Sequence, residues 1–282
     1  MKKIQRRYGH IKDRPGSRRN FYRVAQPLAL PAAFTLAGSP DLREHYDQGQ
    51  HGSCVWNALL LCFEFSHHKT FGAFAELSRM FGYRQTMCME GTDPTTDGGC
   101  MPADALRFQM QTGSCAEDLW PYTADASGLE NTPPQACFDS ARTNQALQEQ
   151  SLPQDILTIK QAIFAGQPVL FGIQCFSGAY GIESDFAAKN GMVGLPSSYD
   201  QLNGNLGGHG IAAIGWDDHL QIPKPAKGIK WPWVKQEYTV GALWIRNSWG
   251  DQWGKGGDFA IPYDFVGDPN LADSFWTISK VE

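Results

Sequence analysis

The chain of 282 residues has no C-x-x-C pair anywhere, so a zinc site built on that spacing is not expected. No run approaches the roughly 18 consecutive apolar residues that a membrane-spanning helix needs. The basic start, M-K-K-I-Q-R-R-Y-G-H-I-K-D-R-P-G-S-R-R-N, lacks the apolar stretch of a secretory signal, which points to a cytoplasmic protein unless a leader has been removed or another export route is used. Internal repeats and low-complexity tracts are missing too. Charged residues are sparse at 19%, against 42% hydrophobic, a balance that suits a globular protein and argues against wholesale disorder. A chain of this length buries enough surface to fold without disulfide or metal staples. Its seven cysteines, at 54, 62, 88, 100, 115, 137 and 175, are odd in number, so at least one thiol stays unpaired, and reduced thiols are the expectation without a signal peptide.

The charge that is present is unevenly placed. Residues 1–23 hold nine Lys/Arg and a single acid, Asp13, whereas the rest of the chain is strongly acidic. A basic arm of this kind can bind nucleic acid or anionic lipid. Here the acidic body is the nearer partner, and the arm 1–23 is a candidate to lie along that body or to cover a cleft in it; no nucleic acid is expected.

Residues 1–30 read as an irregular extension, broken by Pro15, Pro27 and Pro31 at its end. A domain over 31–282 follows. Its first part, about 48–150, carries helical signals: the apolar V-W-N-A-L-L-L-C-F-E-F at 55–65, and shorter candidates at Phe74–Met80 and Ala103–Met110. Its second part, about 151–282, opens with a helical pattern at Asp155–Ala165. Strand-like runs follow at 169–176, 211–216, 242–246 and 274–278, and the polar, Gly/Pro-rich stretches at 177–208 and 217–235 read as surface loops. A helical half followed by a strand-rich half implies an α+β fold of two lobes with a cleft between them.

Three segments carry chemistry. In D-Q-G-Q-H-G-S-C-V-W-N-A (47–58), Cys54 opens the apolar helix. Unpaired N–H groups and the positive end of the helix dipole favour thiolate there. The small Gly52 and Ser53 allow a substrate backbone to come close. In G-G-H-G-I-A-A-I-G-W (207–216), His209 enters a buried strand between glycines. In L-W-I-R-N-S-W-G (243–250), a strand delivers Asn247, with Trp249 placed to cover a bond between Asn and His. An Asn oxygen that accepts an imidazole N–H fixes tautomer and ring orientation, so nucleophile, base and orienting residue are all present.

In this order and with these flanks, the segments resemble the papain family of cysteine peptidases (peptidase C1), bacterial members in particular, over most of residues 30–282. The resemblance implies a two-lobed papain-like fold with a helical left lobe and a β-barrel-like right lobe. It also implies a thiol protease that hydrolyses peptide bonds through Cys54, His209 and Asn247 by way of a thioester, with no cofactor and no metal. Gln48 takes the place of the side-chain donor to the oxyanion, joined by the backbone N–H of Cys54. Gly208 belongs to the general-base motif, and Gly98-Gly99 is similar to the stretch whose backbone pairs with a bound peptide, the last glycine on the P2 residue. Cys100, directly after it, is a candidate to line the pocket.

The chain departs from the family at His51, which stands where many relatives have a disulfide-bonded cysteine, and at Val55, which replaces the usual aromatic. His209 lies further from Cys54 than the usual ~130–150 residues, which fits loop insertions, and Asn247 lies beyond a further one with W-P-W at 231–233. No long helical propeptide precedes the domain, so the arm is the candidate for control. The same triad would also serve a restricted-target amidase, deamidase or transpeptidase, and an inactive binding module of this fold would keep the cleft; function belongs to the site and not to the fold.

Overall fold

A helix that is apolar on every side must be covered on every side. The segment at 55–65 is of that kind, and in the computed structural model it forms the central helix α1 (Cys54–Phe71), buried from Cys54 through Ser66. Gly72 ends it in the left-handed conformation (φ 72°), its N–H returning to the carbonyl of His68 at 2.7 Å. The one carboxylate in the buried part, Glu64, is met by the Arg43 guanidinium at 2.9 Å and the Tyr46 hydroxyl at 2.5 Å. The structure describes residues 6–17, 20–23, 29–125, 127–225 and 235–282. The first five residues of the arm and the W-P-W at 231–233 lie outside them.

Around α1 the chain continues with α2 (Arg79–Met89), α3 (Pro102–Gln111) and α4 (Gln135–Ala141), then α5 (Ile156–Phe164), α6 (Asp185–Asn190), α7 (Ser198–Asn203) and α8 (Tyr263–Val266). The strands are β1 (Ala33–Thr35), β2 (Ala146–Ser151), β3 (Val169–Phe176), β4 (Asn205–Pro223), β5 (Tyr238–Arg246), β6 (Asp258–Pro262) and β7 (Ala272–Val281). They pair antiparallel in the order β2-β7-β3-β4-β5-β6, with β1 added to β4. The fold is α+β as expected. The barrel-like expectation narrows, because the terminal strands β2 and β6 do not pair with each other and the sheet stays open.

Several local expectations shift. The helix expected over Phe74–Met80 starts only at Arg79: Ser78 caps α2 by accepting the Phe81 N–H at 3.0 Å, and the residues before it are held by an isolated bridge from Leu77 to Ala116. The stretch 177–208 holds α6 and α7, and β4 extends well past the apolar run 211–216 at both ends. All seven cysteines are free, Cys88 being exposed and the other six buried. Among the described residues no helix is long and apolar enough to cross a membrane.

The contact that sets the site is between the first turn of α1 and β4. A Cβ on Gly210 would lie 2.9 Å from both Cα and N of Val55, so the glycine lets helix and strand touch along their backbones. Gly210→Ala is expected to lower stability by ~1–3 kcal/mol, the usual cost of overpacking, read as a lower urea midpoint at constant slope. An unchanged midpoint would show that the helix can slide along the strand without penalty.

Candidate active site

Four elements bring the predicted side chains together. The first turn of α1 supplies Cys54, β4 supplies His209, the residue after β5 supplies Asn247, and the loop before α1 supplies Gln48. His209 Nε2 lies 2.8 Å from Asn247 Oδ1, which also accepts the Ser248 N–H at 2.9 Å. The second bond identifies that atom as the amide oxygen, so the neutral imidazole carries its proton on Nε2. Nδ1 is left buried with no hydrogen-bond partner. The neighbouring residue in the strand, Gly210, donates its N–H to Cys54 Sγ at 3.2 Å.

Trp249 covers this pair. Its ring lies 5.1 Å from that of His209; Trp253 meets it edge-on at 4.9 Å, and Phe259 in turn meets Trp253 edge-on at 5.5 Å. Gln48 is held from both lobes: its Oε1 accepts the Ser248 hydroxyl at 2.6 Å and its Nε2 donates to the His51 carbonyl at 2.8 Å. Ser53 carries no capping bond for α1; its hydroxyl is hydrogen-bonded to that of Tyr122 at 2.5 Å instead. Gly52 N–H is held by Asp97 Oδ1 at 2.9 Å, and the same oxygen accepts the Tyr83 hydroxyl at 2.7 Å. Tyr83 in turn accepts the Gly99 N–H at 3.0 Å. Gly98 is exposed, whereas Gly99 and Cys100 are buried.

These groups are buried because the basic arm runs through the cleft. The Arg6 guanidinium sits 4.8 Å above the Trp249 ring and 3.2 Å from Asp47. The Arg7 carbonyl accepts from Gln48 Nε2 at 3.2 Å, while its guanidinium reaches Asp97 at 3.1 Å. Tyr8 meets the His209 ring edge-on at 6.0 Å and donates its hydroxyl to Glu183 at 2.7 Å. Gly9 accepts the Cys100 N–H at 2.9 Å, His10 donates to the Gly208 carbonyl at 2.9 Å, and Ile11 donates to the Cys100 carbonyl at 3.1 Å. A side chain at Gly9 is impossible, since its Cβ would stand 1.6 Å from the Gly52 oxygen.

Burial governs the electrostatics. It pushes the Cys54 thiol up, and the backbone amides of Gly210, Gly9, Val55 and Cys54 itself offset only part of that. It also brings His209 down to about 4, against the opposing bond from Asn247. With the arm in place, sulfur and imidazole are therefore both neutral near pH 7.

The sequence motifs did not single out Ser248, Tyr83, Glu183 or Asp273, which orient or meet these residues. Tyr83, Glu183 and Asp273 meet partners elsewhere in the chain with no local pattern to mark them, and Ser248, though inside the N-S-W-G segment, is tied to Gln48 two hundred residues away. The arm's Tyr8-Gly9-His10 was the available signal.

Comparison with known proteins follows the same lines. The sequence model of the papain family cysteine proteases matches residues 34–272. The fold is similar to that of xylellain, a cysteine protease from Xylella fastidiosa, at a TM-score of 0.80 and 27% identity, covering 99% of this chain and 98% of that one. The chain is 26% identical to a peptidase C1-like protein of Acanthamoeba polyphaga mimivirus, over 99% of this chain and 88% of the relative. It is also 26% identical to a cathepsin B-like protein of Giardia intestinalis, over 85% and 73%. A family match over most of its length, on a fold of the same kind, establishes that this chain belongs to the papain family of cysteine proteases and is a cysteine peptidase, a hydrolase.

Proposed function

We propose that Cys54, His209 and Asn247 act as nucleophile, base and orienting residue in peptide-bond hydrolysis, and that residues 6–13 hold this machinery closed. The observation that carries the reading is the His209 Nε2 bond to Asn247 at 2.8 Å, which leaves Nδ1 unpartnered beside the helix that bears Cys54. With a substrate in place of the arm, Sγ attacks the carbonyl carbon after His209 Nδ1 takes the thiol proton. The developing oxyanion is met by Gln48 Nε2, which Ser248 keeps in orientation. His209 then protonates the leaving amine, the C–N bond breaks, and a thioester remains. Water, deprotonated by His209, attacks that thioester and releases the acid with the thiol restored.

The arm fits a plug. Its carbonyl within reach of Gln48 belongs to Arg7, whereas the arm amide beside the sulfur belongs to Gly9, so donor and nucleophile meet groups of different arm residues.

An epoxysuccinyl inhibitor located by peptide mass spectrometry is expected to add at Cys54 and not to a Cys54→Ala protein. In the full-length protein the pH midpoint of modification should lie above about 9, because burial raises the thiol; without residues 1–23 it should fall below about 7 as thiolate pairs with imidazolium. Hydrolysis of peptides should rise at least tenfold on that deletion. Equal rates and equal midpoints would rule out the arm as a plug. Separately, Gln48→Ala in the arm-free enzyme should lower kcat by about 10²–10³; a loss confined to KM would assign Gln48 to substrate binding alone.

A further inference from the structure

The Ser53 carbonyl and the Cys54 N–H belong to one planar peptide group, so whatever holds the carbonyl also aims the N–H. Asn57 holds that carbonyl twice. Its backbone N–H donates to the Ser53 oxygen at 3.1 Å, and its side-chain Nδ2 donates to the same oxygen at 2.9 Å. The second bond is additional to the helical one and comes from a buried amide, 1% exposed. Asn57 Oδ1 is identified by its partner, since the Arg79 guanidinium that reaches it at 2.6 Å can only donate.

Arg79 opens α2, and its guanidinium carbon lies over two rings, 4.1 Å from that of Tyr46 and 3.8 Å from that of Tyr122. The nitrogen that meets Asn57 also reaches the Asp47 carbonyl at 3.3 Å. A cation fixed in this way strengthens the Asn57 amide as a donor, which polarises the Ser53 carbonyl and makes the Cys54 N–H a better donor in turn. A second branch leaves the same amide. Asn57 Nδ2 donates to the Ser53 hydroxyl at 3.0 Å, and the hydroxyls of Ser53 and Tyr122 are bonded at 2.5 Å. Tyr122 donates to the Gln48 carbonyl at 2.9 Å, so Ser53 is the donor between the two hydroxyls. Asn57 is thereby joined to Cys54 by one branch and to Gln48 by the other.

We propose that Arg79 and Asn57 are positioning residues for the oxyanion: without touching substrate, they set the direction and strength of the Cys54 N–H and fix the backbone of Gln48. The inference rests on the peptidase reading, in which those two donors meet the carbonyl oxygen under attack. Among the described residues, the side-chain bonds of Arg79 and Asn57 go to the domain and not to the arm. Closure of the cleft therefore weighs equally on the parent protein and on variants at these positions.

The test uses the full-length chain labelled with a heavy nitrogen isotope at its seven cysteines, the amide signal of Cys54 being identified by its absence from Cys54→Ala. Arg79→Met is expected to move the Cys54 amide nitrogen upfield by about 1 ppm, and the other six by less than about a third of that. In hydrolysis of a fluorogenic peptide by the same full-length protein, kcat should fall about tenfold with KM held within about twofold. Alkylation of Cys54 by an epoxysuccinyl inhibitor, which involves no attack on a carbonyl, should keep its rate. Arg79→Lys retains a cationic donor and should regain kcat to within about threefold of the parent. Asn57→Ala is the second variant should the Arg79→Met protein fail to fold, and it is expected to move the same signal. A Cys54 signal that stays in place in both variants overturns the proposal. So does an unaltered kcat, or a loss of kcat that alkylation shares, which would mark a general distortion of the site. No hydrolysis by a parent protein whose Cys54 is alkylated, with the amide signal still moving in the variants, sinks the peptidase mechanism and leaves the hold of Arg79 and Asn57 on this peptide group standing.

Discussion

The site depends on how closely α1 approaches β4. Cys54 and His209 lie far apart in the sequence, on elements of different kinds, and they become neighbours only because Gly210 has no side chain where the strand crosses the start of the helix. The same glycine donates its amide to Cys54 Sγ. Packing and chemistry are thus fixed by one contact, and a methyl group there would disturb both. The predominantly apolar, buried stretch of α1 from Cys54 to Ser66 presses the helix into this position, because so apolar a stretch has no stable place at the surface.

Around that contact, a second constraint ties the loop before α1 to the loop after β5. Gln48 N–H donates to the Ser248 carbonyl at 2.8 Å, and the Ser248 hydroxyl returns a bond to the Gln48 side chain. The loop that bears Asn247 and the loop that bears Gln48 therefore cannot shift independently. In a dry site such fixed dipoles count for more than they would in water, since nothing reorganises when charge develops. Asn247 has both its roles on one oxygen, which accepts from Ser248 N–H and faces His209. That arrangement decides the imidazole tautomer without any charged residue in contact.

Much of this was legible in the sequence, and what was not has a physical reason. Cys54, His209, Asn247 and Gln48 stood out because each is embedded in small or aromatic neighbours whose spacing is local. The strand 169–176 and the central helix were readable from continuous apolar runs. The edge strand β2, A-L-Q-E-Q-S, was not, because an edge exposes one side to water and needs no apolar alternation. Helix α2 began later than its hydrophobic pattern suggested, since the Ser78 cap outweighs apolar content at a helix start. Asp97, directly before Gly98-Gly99, fastens Gly52, Tyr83 and Arg7 together through its carboxylate, a set of partners from three separate segments. No pattern within one segment encodes such a node.

The arm explains why the site is electrically silent, and its contacts are not of equal strength. Arg6 and Arg7 reach Asp47 and Asp97 from positions where one member of each pair is about half exposed (Asp47 47%, Arg7 53%), and ion pairs open to water contribute little. Tyr8 on Glu183 and His10 on Asp273 lie deeper. The backbone bonds of Gly9, His10 and Ile11 to Cys100 and Gly208 run between these two anchors, so the arm is held as an extra strand clamped at its middle. A tether of this kind closes a cleft at high effective concentration even when each contact is modest. Its chemical effect follows from exclusion of water: once the cleft is filled, burial raises the thiol and lowers the imidazole, and the pair that would attack a peptide is left without charge. On the proposed reading, closure and inactivation are one event, because the residues that would block entry are the same ones that remove the solvent on which an ion pair depends.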